Sequence, residues 1–178
     1  MTNARAKART LLFTGNGKGK TTAALGMALR AAGHGMRTAI IQFIKSRPIM
    51  GEIAALRHLP GVEIILVGRG FLPDKDSREF DEHRRAAEEG LRRAEEIIAS
   101  GDRNLVVLDE IANAVFKGLL EERSVVEVVE KASPGTIVVM TGRYAPAGLL
   151  AIADTVTDMQ SIKHGFQAGW KTQQGVEY

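Results

Sequence analysis

One stretch decides the fold of this 178-residue chain: Thr14-Gly15-Asn16-Gly17-Lys18-Gly19-Lys20-Thr21-Thr22. It follows the short apolar run Leu11–Phe13 and leads into Lys20–Ala32, a stretch rich in helix-forming residues. Glycines let a backbone curl so that successive N–H groups point inward, and the start of a helix adds partial positive charge. A strand, a glycine-rich turn and a helix in this order predict a Walker A loop, which binds the phosphates of a nucleotide.

The residue types in this loop suit a triphosphate and its metal ion. Lys20 would bring a positive charge to the phosphates, and the Thr21 hydroxyl would ligate a bridging Mg²⁺. The usual pattern, G-x-x-x-x-G-K-[ST], has its first glycine where this chain has Thr14, so we expect the bend to begin at Gly15. A tight strand-to-helix connection without a ligand is the alternative.

A second, acidic element supports the first. The apolar run Leu105–Leu108 ends in Asp109 and Glu110, the arrangement of a Walker B strand, which holds Mg²⁺ directly or through water. Buried strands also end in an acidic residue where a helix begins. Because the loop occurs in the same chain, we expect both carboxylates to lie at the metal.

Short β-rich apolar runs recur along the chain, with helical patterns between most of them. The runs are Leu11–Phe13, Thr38–Phe43, Val62–Val67, Leu105–Leu108 and Thr136–Thr141. Uninterrupted apolar strands that alternate with helices are typical of a parallel sheet covered on both faces. The sequence therefore predicts an α/β fold of the P-loop NTPase, RecA-like type, with a mostly parallel sheet, helices on both faces and ligands at the carboxyl ends of the strands.

The longest predicted helix is Ser77–Ser100. Its apolar residues fall on one stripe: Phe80, Ala87, Leu91, Ala94 and Ile98. Glu88 with Arg92, and Glu89 with Arg93, are spaced i, i+4 and are expected to pair on the solvent face. We interpret this run of charges as a solvated helix surface and not as a binding site.

Composition narrows the class of protein. Hydrophobic residues make up 44% and charged residues 25% of the chain, as in ordinary globular proteins, and there is no run of about 18 apolar residues that would span a membrane. Cysteine is absent, which excludes disulfides, thiolate metal sites and cysteine nucleophiles. The net charge is only +3, and the basic residues are interspersed with 21 acidic ones, which argues against a nucleic-acid partner. Residues 1–9 are predicted to form a flexible basic tail that lacks a signal-peptide core. Residues 10–178 are predicted to form a single domain. We expect the protein to be cytoplasmic.

These residues alone predict a P-loop protein that binds a nucleotide together with magnesium, and they do not define its reaction. Phosphoryl-transfer enzymes usually present a base or water-positioning residue and often an arginine. Arg143 is a candidate for the arginine, but no base or lid motif is evident. A small-molecule kinase, and a RecA-like nucleotide switch that binds a protein or nucleic acid, therefore stay open.

Five blocks of the chain resemble the P-loop ATP:corrinoid adenosyltransferases of the cobalamin pathway. They are Phe13–Ala24, which contains GNGKGKTTAA; Gly33-His34-Gly35 leading to Gln42-Phe43-Ile44-Lys45; Gly70-Phe71; Val107-Leu108-Asp109-Glu110; and a C-terminal block with Lys163-His164-Gly165-Phe166 and Gly175-Val176-Glu177-Tyr178. The resemblance runs from about Leu11 to Tyr178, nearly the whole chain after the tail.

The resemblance implies transfer of the 5′-deoxyadenosyl group of ATP to the Co(I) of a reduced corrinoid, with release of triphosphate. Gly15 to Thr22 match the family's triphosphate loop, in which Lys20 would stabilise the departing charge. Thr21 and Glu110 match the positions that ligate Mg²⁺ or Mn²⁺, with Asp109 as the neighbouring carboxylate. Co(I) is itself a strong nucleophile, which accounts for the missing base.

Phe71 matches the aromatic residue that approaches the corrin face where the lower axial ligand would sit. A phenyl ring offers no lone pair, so it would leave cobalt four-coordinate and easier to reduce. Some family members carry a Trp two residues after this Phe, whereas this chain has Pro73. Gln42, Lys45 and His164 lie in matching blocks and are assigned as nucleotide or corrin contacts. The family also implies a homodimer, and the cysteine-free chain implies an external flavin or flavoprotein as reductant.

Overall fold

The computed structural model describes residues 7–44 and 51–176 and shows six β-strands in one sheet. The strands are β1 (Arg9–Thr14), β2 (Thr38–Gln42), β3 (Val62–Leu66), β4 (Leu105–Asp109), β5 (Ile137–Thr141) and β6 (Thr155–Asp158). Their order is β3-β2-β4-β5-β1-β6, and each neighbouring pair is parallel. The predicted parallel sheet is confirmed, and the five predicted strands agree with β1 to β5 to within two residues at each end.

Six α-helices lie in the described ranges. They are α1 (Lys20–Gly33), α2 (Gly51–Leu56), α3 (Arg78–Ser100), α4 (Ile111–Phe116), α5 (Glu122–Glu130) and α6 (Ala147–Ile152), followed by a 3-10 helix at Gly165–Ala168. The sequence predicts α1 and α3, whereas the other four have six to nine residues, too few for a clear amphipathic period. None of the described helices is both long and apolar enough to cross a membrane.

The helices cover both faces of the sheet, as predicted. Because successive side chains of a strand point to opposite faces, adjacent residues of β4 belong to different clusters. On one face, Val107 packs with buried residues of α1 and α2, among them Ala28 and Leu56. On the other face, Val106 packs with buried residues of α3 to α6, among them Leu91. This two-sided core leaves the carboxyl ends of the strands accessible to a ligand.

The apolar stripe predicted for α3 is buried in the structure, and the helix begins where the sequence predicts. Ser77 caps it, since its hydroxyl accepts a hydrogen bond from Phe80 N at 3.2 Å. The stripe comprises Phe80, Ala87, Leu91, Ala94 and Ile98. The long helix therefore lies on the sheet by its predicted face.

The ion pairs on the solvent face of α3 differ from those that the spacing predicts. Arg92 pairs with Glu89 and Glu96, and Arg93 pairs with Glu96 at 3.6 Å, so neither predicted pair, Glu88 with Arg92 or Glu89 with Arg93, is among the salt bridges of the described residues. Exposed pairs of this kind contribute about 0–1 kcal/mol each, so several rotamer choices have similar energies. The exchange of partners does not alter the interpretation of this face as a solvated surface.

The edge strand β6 is not predicted from the sequence, because it does not follow the pattern of buried apolar runs. All four residues of β6 are exposed, because β6 pairs only with β1 and no described helix covers it. Its start is fixed by Asp154, whose carboxylate accepts a hydrogen bond from Thr10 N at 2.8 Å. Arg9, which the sequence assigns to the tail, is the first residue of β1 and pairs with Ile137.

Two helix-interior glycines make a matched test of the packing of α3. A Cβ at Gly90 would lie 2.5 Å from Val67 Cγ1, whereas a Cβ at Gly26 of α1 would meet nothing within 4 Å. We expect Gly26→Ala to stabilise the protein by about 0.5–1 kcal/mol, the usual gain at a helix interior. Gly90→Ala should instead lower the free energy of unfolding by about 1–3 kcal/mol, because α3 must move away from Val67. Urea denaturation measures both, and an equal gain in the two variants would contradict this packing.

Candidate nucleotide site

The glycine-rich loop between β1 and α1 turns at Gly15, as the sequence predicts. Gly15 has φ 93° and Gly19 has φ 116°, values that favour glycine. A Cβ at Gly15 would lie 2.1 Å from Asp158 Oδ1 and 2.5 Å from Met159 O, so the end of β6 and the residue after it also demand a glycine there. Gly17 N donates a hydrogen bond to Met159 O at 2.6 Å. The loop is thus held between the start of α1 and the end of β6.

Lys20 lies over this loop. Its Nζ donates hydrogen bonds to the carbonyl oxygens of Gly15 and Gly17, each at 2.6 Å. Burial lowers the pKa of the Lys20 ammonium, the nearby Arg143 guanidinium lowers it further, and the carboxylates of Glu110 and Asp158 oppose this shift. Two cations therefore converge at the loop, an arrangement that an anion would stabilise.

Asp109, the last residue of β4, is the buried centre of the site. It is fully buried, and its Oδ1 accepts hydrogen bonds from the hydroxyls of Thr21 at 2.8 Å and Thr141 at 2.7 Å. Its Oδ2 accepts a hydrogen bond from Gln42 Nε2 at 3.0 Å. A buried carboxylate needs such donors. Asp109 thereby joins the loop helix to β2, β4 and β5.

Glu110 follows Asp109 and turns the chain from β4 into α4. Its backbone is left-handed, with φ 63° and ψ 19°, which is rare for a residue with a side chain. Its N–H donates a hydrogen bond to Thr141 Oγ1 at 2.9 Å, which helps to hold this conformation. The turn brings Glu110 to the cavity, while Asp109 stays in the sheet.

A cavity of about 910 Å³ opens beside the loop. Of the predicted site residues, those that line it are Gly17, Lys18, Gly19, Lys20, Thr21, Thr22 and Glu110. It continues from the loop along α1 and α2, and it also touches Asn113, Thr141, Gly142 and Arg143. The structure therefore brings the Walker A loop and the second carboxylate of the Walker B strand to one cavity.

The remaining predicted contacts lie elsewhere. Gln42 is buried and bonded to Asp109, so it supports the site from within the sheet. Phe71 is 97% exposed between β3 and α3, and neither Phe71 nor the half-buried His164 is among the described residues that line the cavity. Lys45 lies outside the described residues.

Two features of the site, Glu52 and the pair Phe116–Tyr144, are not assigned from the sequence, which names Arg143 only as a candidate arginine for phosphoryl transfer. Arg143 lines the cavity, and its backbone N–H donates a hydrogen bond to Asn113 Oδ1 at 2.7 Å, which ties the end of β5 to α4. Glu52 of α2 also lines the cavity. Phe116 and Tyr144 stack with ring centroids 4.3 Å apart on the surface near Arg143. The position of Arg143 two residues after the β-rich run Thr136–Thr141 is the sequence signal that points to this edge.

Comparisons with known proteins show the family to which this chain belongs. A family model described as ATP:corrinoid adenosyltransferase BtuR/CobO/CobP matches residues 6–178, and the chain belongs to this family. It is 41% identical over 169 residues to the corrinoid adenosyltransferase of Pseudomonas aeruginosa, an alignment that covers 94% of this chain and 82% of that protein. Its identity is 39% to the corrinoid adenosyltransferase of Escherichia coli K12 and 37% to corrinoid adenosyltransferase CobA of Salmonella typhimurium, each over 94% of this chain and 84% of the relative.

Thr141 tests whether the Asp109 network holds the site together. Thr141→Val removes a donor to the buried carboxylate and an acceptor for Glu110 N, so we expect the free energy of unfolding to fall by about 1–3 kcal/mol. Thr141→Ser keeps the hydroxyl and serves as the matched control, with a smaller loss. Equal losses in the two variants, measured by urea denaturation, would mean that the hydroxyl does not carry this role.

Proposed function

We propose that this chain is an enzyme that transfers the 5′-deoxyadenosyl group of ATP to the cobalt of a reduced corrinoid and releases triphosphate. The observation that carries the proposal is the geometry of the loop in a chain of the adenosyltransferase family. In this loop Lys20 donates hydrogen bonds to two backbone carbonyl groups, and the Thr21 hydroxyl donates one to Asp109. The relatives compared above carry the name corrinoid adenosyltransferase.

The proposed reaction moves an electron pair and no proton. The electron pair of Co(I) forms a bond to C5′ of ATP, while the C5′–O bond breaks and its electron pair leaves with the triphosphate. Cobalt is formally oxidised by two electrons to an alkyl-Co(III) species. The protein therefore has to stabilise negative charge at the ester oxygen and position C5′, which are electrostatic and geometric tasks.

Lys20 and Arg143 are suited to the charge on the leaving group. The ammonium of Lys20 is already oriented by the carbonyls of Gly15 and Gly17, so little reorganisation is needed when charge develops. Arg143 lines the same cavity, and its guanidinium adds to the effect of burial in lowering the pKa of Lys20. Because these cations repel each other, a bound polyanion stabilises both.

Thr21 and Glu110 fit a magnesium ion bound together with the nucleotide. The Thr21 hydroxyl donates a hydrogen bond to Asp109, which turns the oxygen lone pairs away from that carboxylate, and Glu110 lines the adjoining cavity. Magnesium prefers oxygen ligands of this kind combined with substrate phosphates. Among the described residues no three His, Asp or Glu side chains could hold a metal by themselves, so phosphate oxygens would complete the ligand set. When bound, the ion would neutralise part of the triphosphate charge.

Phe71 is the proposed contact on the corrin side. Its side chain is 97% exposed, while Leu72 beside it packs against the core and Gly70 before it has φ 97°. A salt bridge of 3.1 Å between Arg69 and Glu82 ties this segment to α3. An exposed aromatic ring on an anchored turn suits an apolar ligand face, such as a corrin ring.

Three further parts of the proposal concern the electron donor, the oligomeric state and the location of the protein. Reduction of cobalt to Co(I) needs electrons from outside, because the chain has no cysteine that would supply a dithiol, and a flavin or flavoprotein is the proposed donor. A homodimer and a cytoplasmic location complete the proposal.

Product analysis with a Lys20 variant tests this function. With ATP, Mg²⁺, a corrinoid and a strong reductant, we expect triphosphate in proportion to the new Co–C bond and no ADP. Lys20→Ala should lower kcat/KM by about 10²–10³-fold, the usual cost of a lost transition-state donor. Lys131→Ala, which removes an exposed cation outside the cavity, should match the wild type. Acceptor-dependent ADP would indicate a kinase and contradict the proposal, as would full activity in Lys20→Ala.

The role of Phe71 makes a separate prediction about the redox state of the substrate. Phe71→Ala should slow the reaction more when it starts from the Co(II) corrinoid than when chemically prepared Co(I) is supplied, because the ring assists removal of the lower ligand before reduction. Rates from both starting states, measured by the absorbance of the Co–C product, give the comparison. Equal losses from the two states would mean that Phe71 takes no part in removing the lower ligand.

A further inference from the structure

Phe116 and Tyr144 expose two stacked aromatic rings near the carboxyl edge of the sheet. Phe116 is the last residue of α4, and Tyr144 lies three residues after the end of β5. The two residues are 52% and 53% exposed, and their ring centroids are 4.3 Å apart. An exposed aromatic face is a surface on which another flat ring stacks. We call these two residues the aromatic pair.

The backbone that carries Tyr144 is held firmly against α4. A Cβ at Gly142 would lie 2.7 Å from Asn113 N, so the turn after β5 packs directly on this helix. Arg143 N also donates a hydrogen bond to Asn113 Oδ1 at 2.7 Å. Tyr144 follows with φ 54°, a left-handed conformation that residues with a side chain rarely adopt. Such strain persists where the surroundings fix it, so the Tyr144 ring is preorganised beside Phe116.

The aromatic pair lies on the same side of the sheet as the segment that carries Phe71. Leu72 packs against the core cluster of the α3 to α6 face, and Ala145, which follows the second ring in the chain, packs against the same cluster. The two segments also meet at the end of α4, because a Cβ at Gly118 would lie 4.0 Å from Lys75 Nζ. Neither ring is among the described residues that line the nucleotide cavity. The pair therefore adjoins the proposed corrin contact and not the nucleotide.

Two lysines accompany the aromatic pair. Lys117 Nζ lies 5.9 Å from the centroid of the Phe116 ring, and Lys75 Nζ reaches the turn just after it. Within residues 7–44 and 51–176 neither lysine forms a salt bridge. A charge-assisted hydrogen bond from an ammonium group is a common way to bind a phosphate. Rings with adjacent cations thus suit a flat heterocycle that is joined to a phosphate.

A corrinoid offers such a group when its lower ligand is removed. A complete corrinoid carries an aromatic base at the end of a ribose phosphate loop, and in the free compound this base is the lower ligand of cobalt. In the proposed function the Phe71 ring takes the place of that ligand, so the base is displaced. An incomplete corrinoid has neither the base nor the ribose phosphate.

We propose that the aromatic pair binds the displaced base of a complete corrinoid, which stacks on the exposed rings, with the phosphate of its loop at Lys117. The inference rests on the proposed function, since it takes a corrinoid as the substrate and Phe71 as its lower contact. It adds the substrate class: complete corrinoids such as cobalamin bind more tightly than incomplete ones such as cobinamide. A base held on these rings is also kept from returning to cobalt.

The experiment supplies both corrinoids as chemically prepared Co(I), which has no lower ligand, so that the two substrates differ in the nucleotide loop alone. KM and kcat for cobalamin and cobinamide are measured in the full chain with saturating ATP and Mg²⁺, and the KM for ATP is measured alongside. Tyr144→Asn removes the ring, and asparagine tolerates the left-handed backbone. Tyr144→Phe keeps the ring and serves as the matched control.

We expect the wild type to have a KM for cobalamin about tenfold below that for cobinamide, the usual effect of one base stacked on aromatic side chains. In Tyr144→Asn the KM for cobalamin should rise about tenfold, while the KM and kcat for cobinamide stay within about twofold of the wild type. Tyr144→Phe should retain the full preference. Lys117→Gln should raise the KM for cobalamin alone by about two- to fivefold, the range of an exposed ion pair.

Several outcomes would overturn the inference. An equal rise in KM for both corrinoids in Tyr144→Asn would mean that the ring contacts the corrin itself or supports the fold. An unchanged KM for both corrinoids would mean that the aromatic pair binds no part of the substrate. A rise in the KM for ATP would place adenine on the rings instead. An unchanged KM for cobalamin in Lys117→Gln would overturn the phosphate assignment.

Failure of this inference is distinguishable from failure of the proposed function. If the wild type and Tyr144→Asn form the Co–C bond from both corrinoids with the same KM values, only the base site falls. If the wild type forms no Co–C bond from either Co(I) corrinoid, the proposed function is wrong and the inference falls with it.

Discussion

The structure depends on the burial of one negative charge, the carboxylate of Asp109. A fully buried carboxylate is costly unless donors surround it, and here the donors come from Thr21, Gln42 and Thr141. These residues belong to α1, β2 and β5, so satisfying one charge fixes the loop helix against three neighbouring strands. The same contact orients the Thr21 hydroxyl, and the next residue, Glu110, turns out towards the cavity. The same hydrogen bonds therefore stabilise the carboxyl edge of the sheet and set the geometry of the site.

Charge around this centre explains why a triphosphate is favoured as a leaving group. Burial lowers the pKa of Lys20, and repulsion from the nearby Arg143 guanidinium lowers it further. Glu110 and Asp158 offset part of this repulsion, and a bound polyanion would offset the rest. In a kinase the same loop would activate the terminal phosphate. In the proposed reaction it holds the departing end of ATP, so the chemistry lies at C5′, towards the ribose.

The sequence predicts the parts of this site that are local in the chain. A strand, a glycine-rich turn and a helix are contiguous, and the end of β4 is marked by an apolar run followed by two carboxylates, so the loop and Asp109-Glu110 can be found without a structure. The part of the cavity beside α2 cannot be found in this way, because a six-residue helix carries little periodicity and its position depends on the sheet order. The exposed strand β6 is not predicted because solvated residues follow no burial pattern. The salt-bridge partners of Arg92 are not predicted because exposed side chains choose among rotamers of similar energy.

The most direct measurement follows the oxygen atom that joins C5′ to the α-phosphorus. The enzyme would be given ATP that carries ¹⁸O at this ester position and a reduced corrinoid. The products would then be separated and their masses measured by mass spectrometry. If the triphosphate leaves from C5′, the account predicts all of the label in released triphosphate and none in any nucleoside product. Label retained in ADP or in an adenosine-containing product would mean that a phosphorus–oxygen bond breaks, which would contradict the account.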